Sequence, residues 1–268
     1  MSGFTAEWLS LRERYDMTAR NSKVLGAVTA LLKSRSPYIV DLACGSGSTV
    51  RALHALIPAP QRWDLVDNDP KLLALACNQE LDRDVSLNAI PLDLSRDFEV
   101  ALGSKVSLIT ISALLDLVSE AWLHQFARAV TARAVPVYAA LTYNGVVDLS
   151  PADSFDAAIV SNVNAHQRTN KGFGPALGPS AASTAIASFE ALGYSVVSGI
   201  SDWIIGPNDR AMQNELLEGW AKAARELETL SSAEIADWLQ RRATIVSAGR
   251  STIRVGHVDF FAFPSSMR

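Results

Sequence analysis

Val40-Asp41-Leu42-Ala43-Cys44-Gly45-Ser46-Gly47-Ser48 is the stretch on which the reading of this chain turns. It closes the apolar run Tyr38-Ile39-Val40-Asp41-Leu42 and opens a helical pattern over 48–56, which Pro58 and Pro60 end. Glycines at a strand-to-helix turn let the backbone approach a ligand closely, and open α/β sheets bind ligands in the crevice beyond their strand ends. Asp67 ends the next apolar run, Trp63-Asp64-Leu65-Val66-Asp67, where an acid can accept hydrogen bonds from ribose hydroxyls. Two details separate this turn from other nucleotide-binding turns. Val50 stands at the third glycine position of G-x-G-x-x-G, and no lysine follows the glycines as in a P-loop. Asp41, upstream of the first glycine, repels phosphate and suits a cationic amino-acid group. The turn therefore fits a nucleoside without phosphates that carries an ammonium group.

Outward from this turn, strand and helix patterns alternate. Residues 70–79 read as a helix, 85–91 as a third strand, 106–111 as a fourth, 119–133 as a helix and 135–143 as a fifth strand. The runs VSLITIS and VPVYAALTY are nearly all apolar, as parallel strands buried on both faces require. Two helical stripes precede the turn, Trp8, Leu9, Leu11 and Tyr15, then Val24, Leu25, Val28, Leu31 and Leu32. Beyond the fifth strand, Ser150-Pro151-Ala152-Asp153 reads as the start of a helix over 151–165. A glycine-rich loop over 166–179, a helix over 180–192 and a sixth strand over 194–205 follow. Helices over 208–230 and 231–246 come next, the second opened by a Ser231-x-x-Glu234 capping box, and the last strand is 251–263. This predicts a doubly wound α/β fold: a mostly parallel seven-stranded sheet with helices on both faces, plus helical insertions covering the active site.

Bulk composition narrows the function. The chain has 268 residues, 49% hydrophobic and only 19% charged, as a folded domain requires. A net charge of −4 argues against a broad phosphate-binding surface, so no nucleic-acid partner is expected. Two cysteines, Cys44 and Cys77, are too few for a disulfide framework, and no metal-ligand spacing joins them to the four histidines. MSGFTAEWLS lacks the basic and apolar regions of a signal peptide, and no apolar run reaches the ~18 residues of a membrane span. The expected setting is cytoplasmic, with no membrane partner, as a monomer or homodimer.

Asp41-Leu-Ala-Cys-Gly45-Ser-Gly47 resembles motif I of the class I S-adenosylmethionine-dependent methyltransferases, and later motifs of that family follow in order. The resemblance implies a methyl-donor site in which Asp41, Ala43, Cys44, Gly45 and Gly47 form the loop. Asp67 would bind both ribose hydroxyls, with Asn68 against the adenine. Asp93, in Pro-Leu-Asp-Leu, would hydrogen-bond the adenine amino group, with backbone contacts from Leu94. Ser112, in Ser-Ala-Leu-Leu-Asp116, would border donor and acceptor. The cofactor implied is S-adenosylmethionine, its product S-adenosylhomocysteine. An N-terminal helix often covers the donor in this family. Tyr15, Asp16 and Arg20 share a helix face by i, i+4 spacing, which makes Tyr15 and Arg20 candidates to touch the donor; a solvated, salt-bridged face is the other reading. The organisation expected is one domain over 1–268, with a helical lid (1–36), a donor-binding core (37–143) and insertions at 144–180 and 206–250 that form the acceptor pocket.

The family's last two strands usually form a close antiparallel pair, whereas here the helical stretch 206–250 separates them. The Ser112-Ala113-Leu114-Leu115 sequence lacks the tetrads of base-modifying relatives, so the acceptor expected is a small molecule taking methyl at O or N. Such an acceptor needs orientation, and in some cases a base. The candidates are His166, Asp116 and Tyr143. The other readings are a polar surface turn for His166, a helix cap for Asp116 and strand-end packing for Tyr143. No metal is required. Two rival functions stand beside this one. One is a donor-binding regulatory module without transfer. The other is a nicotinamide-dependent oxidoreductase, against which Val50 and Asp41 count.

Overall fold

The computed structural model describes residues 4–33, 36–81, 84–103 and 105–267. Helices α1 (Ala6–Ala19) and α2 (Ser22–Leu32) come first, capped by the side chains of Thr5 and Asn21, which accept first-turn amides. Then β1 (Tyr38–Leu42), α3 (Ser48–Leu53), β2 (Gln61–Asp67), α4 (Pro70–Cys77), β3 (Val85–Pro91) and the short α5 (Leu94–Asp97) alternate. They are followed by β4 (Leu108–Ser112), α6 (Glu120–Ala132) and the long β5 (Val137–Ser150). The remainder is α7 (Asp156–His166), α8 (Ala181–Ala191), β6 (Tyr194–Ile200), β7 (Trp203–Ile205), α9 (Arg210–Glu226), α10 (Ser232–Ser247) and β8 (Thr252–Pro264).

These strands form one sheet in the order β3-β2-β1-β4-β5-β8-β6, with β7 also on β8. The pairs from β3 to β5 are parallel, and β8 runs antiparallel to β5, β6 and β7. Alternation along the strands feeds two cores. Ile39, Leu65, Leu108 and Tyr138 pack with Val28, Val50 and Leu73 of α2, α3 and α4. Val40, Val66, Ile109 and Ala139 pack with Phe126 and Phe189 of α6 and α8. A third core joins α7, α9 and α10 to the far end of β5, β7 and the start of β8, around Trp203, Leu217, Trp238 and Ile253.

The sheet has eight strands where the sequence predicts seven, and the extra one is a matter of pairing. The expected sixth strand keeps one register on β8, from Tyr194 opposite Pro264 to Ile205 opposite Ile253, but breaks at Ser201-Asp202. There the Asp202 carboxylate, not its backbone, accepts the His257 amide at 3.0 Å. A second correction concerns the helix expected from 151. Val147 to Ser150 pair with Thr252 to Val255, so the strand continues and the helix starts at Asp156. The Ser-Pro-x-Asp signature is a turn instead, in which Asp153 accepts the Phe155 amide and Asp156 accepts the Asp153 amide. The segment 144–180 thus opens as strand rather than helix. Although the helical stretch 206–250 separates them in sequence, β6 and β8 are antiparallel neighbours, and the helices between them leave the sheet to build the third core.

Candidate functional site

The sheet offers a switch point between β1 and β4, because β2 and β3 lie on one side of β1 and the later strands on the other. The loop after β1 sits at this point. Ala43, Gly45 and Gly47 have φ of 54°, 53° and 84°, a left-handed run that glycine adopts without strain. A Cβ at Gly47 would lie 2.8 Å from Gln79 Nε2 and 3.2 Å from Ala76 Cβ, so only glycine lets α4 pack this closely. The loop is tied to the next strand twice: Cys44 N donates to the Val66 carbonyl at 3.0 Å, and Gly45 N donates to Asp67 Oδ2 at 2.9 Å. Asp67 Oδ1 accepts the Asp69 amide at 3.0 Å. Each carboxylate oxygen keeps a second acceptor site.

Asp41 lies beneath this loop, fully buried. Its Oδ1 accepts a 2.6 Å hydrogen bond from Thr110 Oγ1, and its Oδ2 has no partner among the described residues. Burial pushes its carboxyl up to about 7, against the Thr110 hydrogen bond and the charge of Arg20. Burial and the neighbouring Asp41 and Asp67 push the Cys44 thiol up, so it is a packing residue and not a nucleophile.

The ends of β3 and β4 complete this rim. Leu92 N donates to the Asp67 carbonyl at 3.0 Å, which brings the start of α5 to Asp67. Asp93 is exposed and caps α5 by accepting Ser95 N at 2.9 Å; hydrogen bonding to Ser95 holds its carboxyl below the usual range. Asn68 is exposed beside Asp67. Leu94 is buried, and its carbonyl accepts Trp122 Nε1 at 2.7 Å, so of the backbone contacts expected from Leu94 the carbonyl is already used. Ser112 ends β4, its Oγ 3.5 Å from Arg20 Nη2. Asp116 lies in a tight turn over Leu115–Leu117 and is buried. It does not cap α6, because Ser119 does. Burial pushes Asp116 up to about 6, opposed by its own amide and by the Arg12 charge.

Over this rim lies α1. Leu9 meets the loop, 3.2 Å from where a Cβ on Gly45 would stand. Arg20, one residue past α1, is buried and donates to Tyr138 Oη at 3.2 Å. The face expected to join Tyr15, Asp16 and Arg20 divides instead. Asp16 takes a forked ion pair from Arg12 (2.9 Å) and a 3.0 Å hydrogen bond from Trp203 Nε1, because Arg12 lies one turn back on the same buried side. Tyr15 packs on Trp203, its hydroxyl accepting from Arg14. The Arg12 guanidinium lies over the Trp203 ring at 4.8 Å, and His257 packs on the same indole at 4.8 Å. His257 is buried with Nδ1 unpartnered among the described residues; burial and Arg12 push it down to about 3.

No protein-family model and no curated protein matches the sequence. Solved structures do. A cyclopropane-fatty-acyl-phospholipid synthase-like protein from Lactobacillus casei superposes with a TM-score of 0.51 at 13% identity, covering 97% of this chain and 95% of that one. The cyclopropane synthase MmaA2 from Mycobacterium tuberculosis gives 0.47 at 10%, over 89% and 82% of the two chains. Geranyl diphosphate C-methyltransferase from Streptomyces coelicolor gives 0.44 at 13%, over 96% and 78%. The chain shares the α/β fold of the first of these structures.

Within this fold, the catalytic candidates part company. Both ring nitrogens of His166 are engaged: Nε2 is 2.8 Å from Glu226 Oε2 of α9 and Nδ1 is 3.3 Å from Lys171 Nζ in the loop after α7. Its loop folds back on α6 through Val118 opposite Phe173 and Ser119 opposite Ala176. Tyr143 pairs with His257 in the sheet, but its hydroxyl donates to Asn164 Oδ1 at 2.7 Å. Burial and the Asp116 charge push its hydroxyl up, which opposes its deprotonation. Asp116 is the candidate that retains acid–base character. Sequence reading missed Arg12, His257 and Asp259. Asp259 is fully buried and accepts the Asn21 and Leu141 amides at 2.9 and 2.8 Å. The signal was present: His257 and Asp259 interrupt an otherwise apolar run over 255–263, and buried polar groups require partners.

Proposed function

We propose that the protein is an S-adenosylmethionine-dependent methyltransferase acting on a small-molecule acceptor at oxygen or nitrogen. One observation carries this reading. Asp67 holds the Gly45 amide across the β1/β2 strand ends, and Asp41, near the end of β1 before the loop, is buried with one oxygen that has no partner among the described residues. That arrangement suits a ribose at Asp67 and an ammonium group toward Asp41, and it lacks the third glycine that a pyrophosphate needs. The residues fit the donor: Asp67, Gly45 and Gly47 on its nucleoside side, Asp93 at the base, and Asp41, Arg20 and Ser112 toward its amino-acid end. S-adenosylmethionine supplies, when bound, an electrophilic methyl group on sulfur.

The chain's own work is orientation, exclusion of water and removal of one proton. Leu9 places α1 against the glycine loop at Gly45, where it shields that part of the rim. Asp116 sits at the end of β4 with Arg12 and Tyr143 beside it, and a carboxylate poised near neutrality can accept the proton of a hydroxyl or amine. Trp203, Tyr143 and His257 give the acceptor side aromatic walls. The net charge of −4 favours a small acceptor over a nucleic acid, and the free thiols Cys44 and Cys77 accord with a cytoplasmic setting.

Calorimetric titration with S-adenosylhomocysteine and with NADH tests the reading. We expect binding of the first and none of the second. Asp67→Ala should weaken S-adenosylhomocysteine binding by about tenfold or more, the effect of losing hydrogen bonds to a charged group. NADH binding alone, or unchanged affinity in Asp67→Ala, would overturn it.

A further inference from the structure

Arg51, in α3, touches three elements at once. Its Nη1 donates to the Ser46 carbonyl at 2.8 Å and to Gln79 Oε1 at 3.2 Å. Its Nη2 donates to Glu13 Oε2 at 2.9 Å and lies 3.5 Å from Ser46 Oγ, while Nε completes the fork on Glu13. The partners belong to α1, to the glycine loop and to the residues after α4. Gln79 in turn donates to the Ala76 carbonyl at 2.6 Å and lies against Gly47. On α1, Leu9 precedes Glu13 by four residues, so both point the same way, one onto Gly45 and the other onto Arg51.

We propose that Arg51 is a positioning residue of the donor site: it fixes the Gly45-Ser46-Gly47 loop and, through Glu13, makes release of the donor depend on lifting α1. This rests on the donor-site reading given above. A guanidinium is suited to the task because its planar fork serves several acceptors in fixed directions, which an ammonium does not. The Arg51 and Glu13 side chains are 28% and 23% exposed, shielded yet within reach of water, so the pair can open during ligand exchange. Arg51 acts on the ligand only through the loop carbonyl and α1.

The experiment measures S-adenosylhomocysteine dissociation from the full chain by stopped-flow displacement, for wild type, Glu13→Gln, Arg51→Lys and the double variant. Each single change should speed dissociation about three- to tenfold, as expected for a shielded ion pair. The double variant should be no faster than the quicker single, because Glu13 acts on the loop only through Arg51. Ligand-free melting temperatures should stay within about 3 °C of wild type. Unchanged dissociation, additive effects in the double variant, or acceleration that merely tracks a lower melting temperature would overturn the proposal. Wild type that fails to bind S-adenosylhomocysteine would instead overturn the donor site itself, and this inference with it.

Discussion

Asp41 shows what one buried carboxyl does to the whole titration behaviour. Its ordinary value is 3.8, and burial raises it to about 7 in the folded chain. Between those values the folded protein keeps a proton that the unfolded chain has released. Stability from this residue is therefore present at acid pH and declines as pH rises from about 4 to about 7. Asp41→Asn does not titrate, so its melting temperature should gain on wild type across that window and run parallel outside it. Scanning calorimetry at several pH values checks this, and curves parallel throughout would refute the burial argument. The same proton opposes an ammonium ligand. S-adenosylhomocysteine affinity should rise with pH through about 7 in wild type and less so in Asp41→Asn. The place of the glycine loop, Asp41 and Asp67 at neighbouring strand ends was legible because they lie in contiguous segments that the strand pattern puts in register. The partners of His166 were not legible because nothing local reveals Glu226 and Lys171, which reach it from α9 and from its own loop. Arg12 was missed because an i, i+4 ion pair reads as a surface feature until the indole of Trp203 closes over it.

At the scale of elements, legibility follows how local the determinant is. α10 begins where its capping box predicts, since Ser231 and Glu234 satisfy each other's amides without outside help. The start of α7 is not local. Pairing of Val147 to Ser150 with β8 overrides a good N-terminal signature, and the segment that follows is held by α10. Arg242, fully buried, forks onto Asp156 and donates to the Pro151 carbonyl at 2.7 Å, while Trp238 Nε1 donates to Asp156 Oδ1 at 2.9 Å. Arg242→Met leaves Asp156 charged and half its partners gone, which should cost about 3–5 kcal/mol. Urea unfolding measures the loss. Because these groups lie in the third core, S-adenosylhomocysteine affinity of the folded variant should stay at the wild-type value. A loss below about 1 kcal/mol would mean that water replaces the guanidinium there.

At the scale of the molecule, the donor rim and the helical cap draw on different cores. The rim stands on the two cores flanking the parallel sheet, and α7, α9 and α10 stand on the third. Helix α1 touches both sides: Leu9 and Glu13 meet the glycine loop and Arg51, while Arg14 pairs with Asp209 and Tyr15 packs on Trp203. A ligand on the rim should therefore tighten what it touches and what rests on it, and leave the cap as it was, since proteins open in locally cooperative units. Hydrogen exchange read by mass spectrometry, with and without S-adenosylhomocysteine, separates the outcomes. Added protection is expected over 41–50, 67–69 and α1 together, with α9 and α10 unchanged. Protection of the loop without α1 would show that α1 is a fixed roof rather than a part that answers to the donor. Protection centred on α9 and α10 would move the binding site to the cap and disconnect it from Asp67.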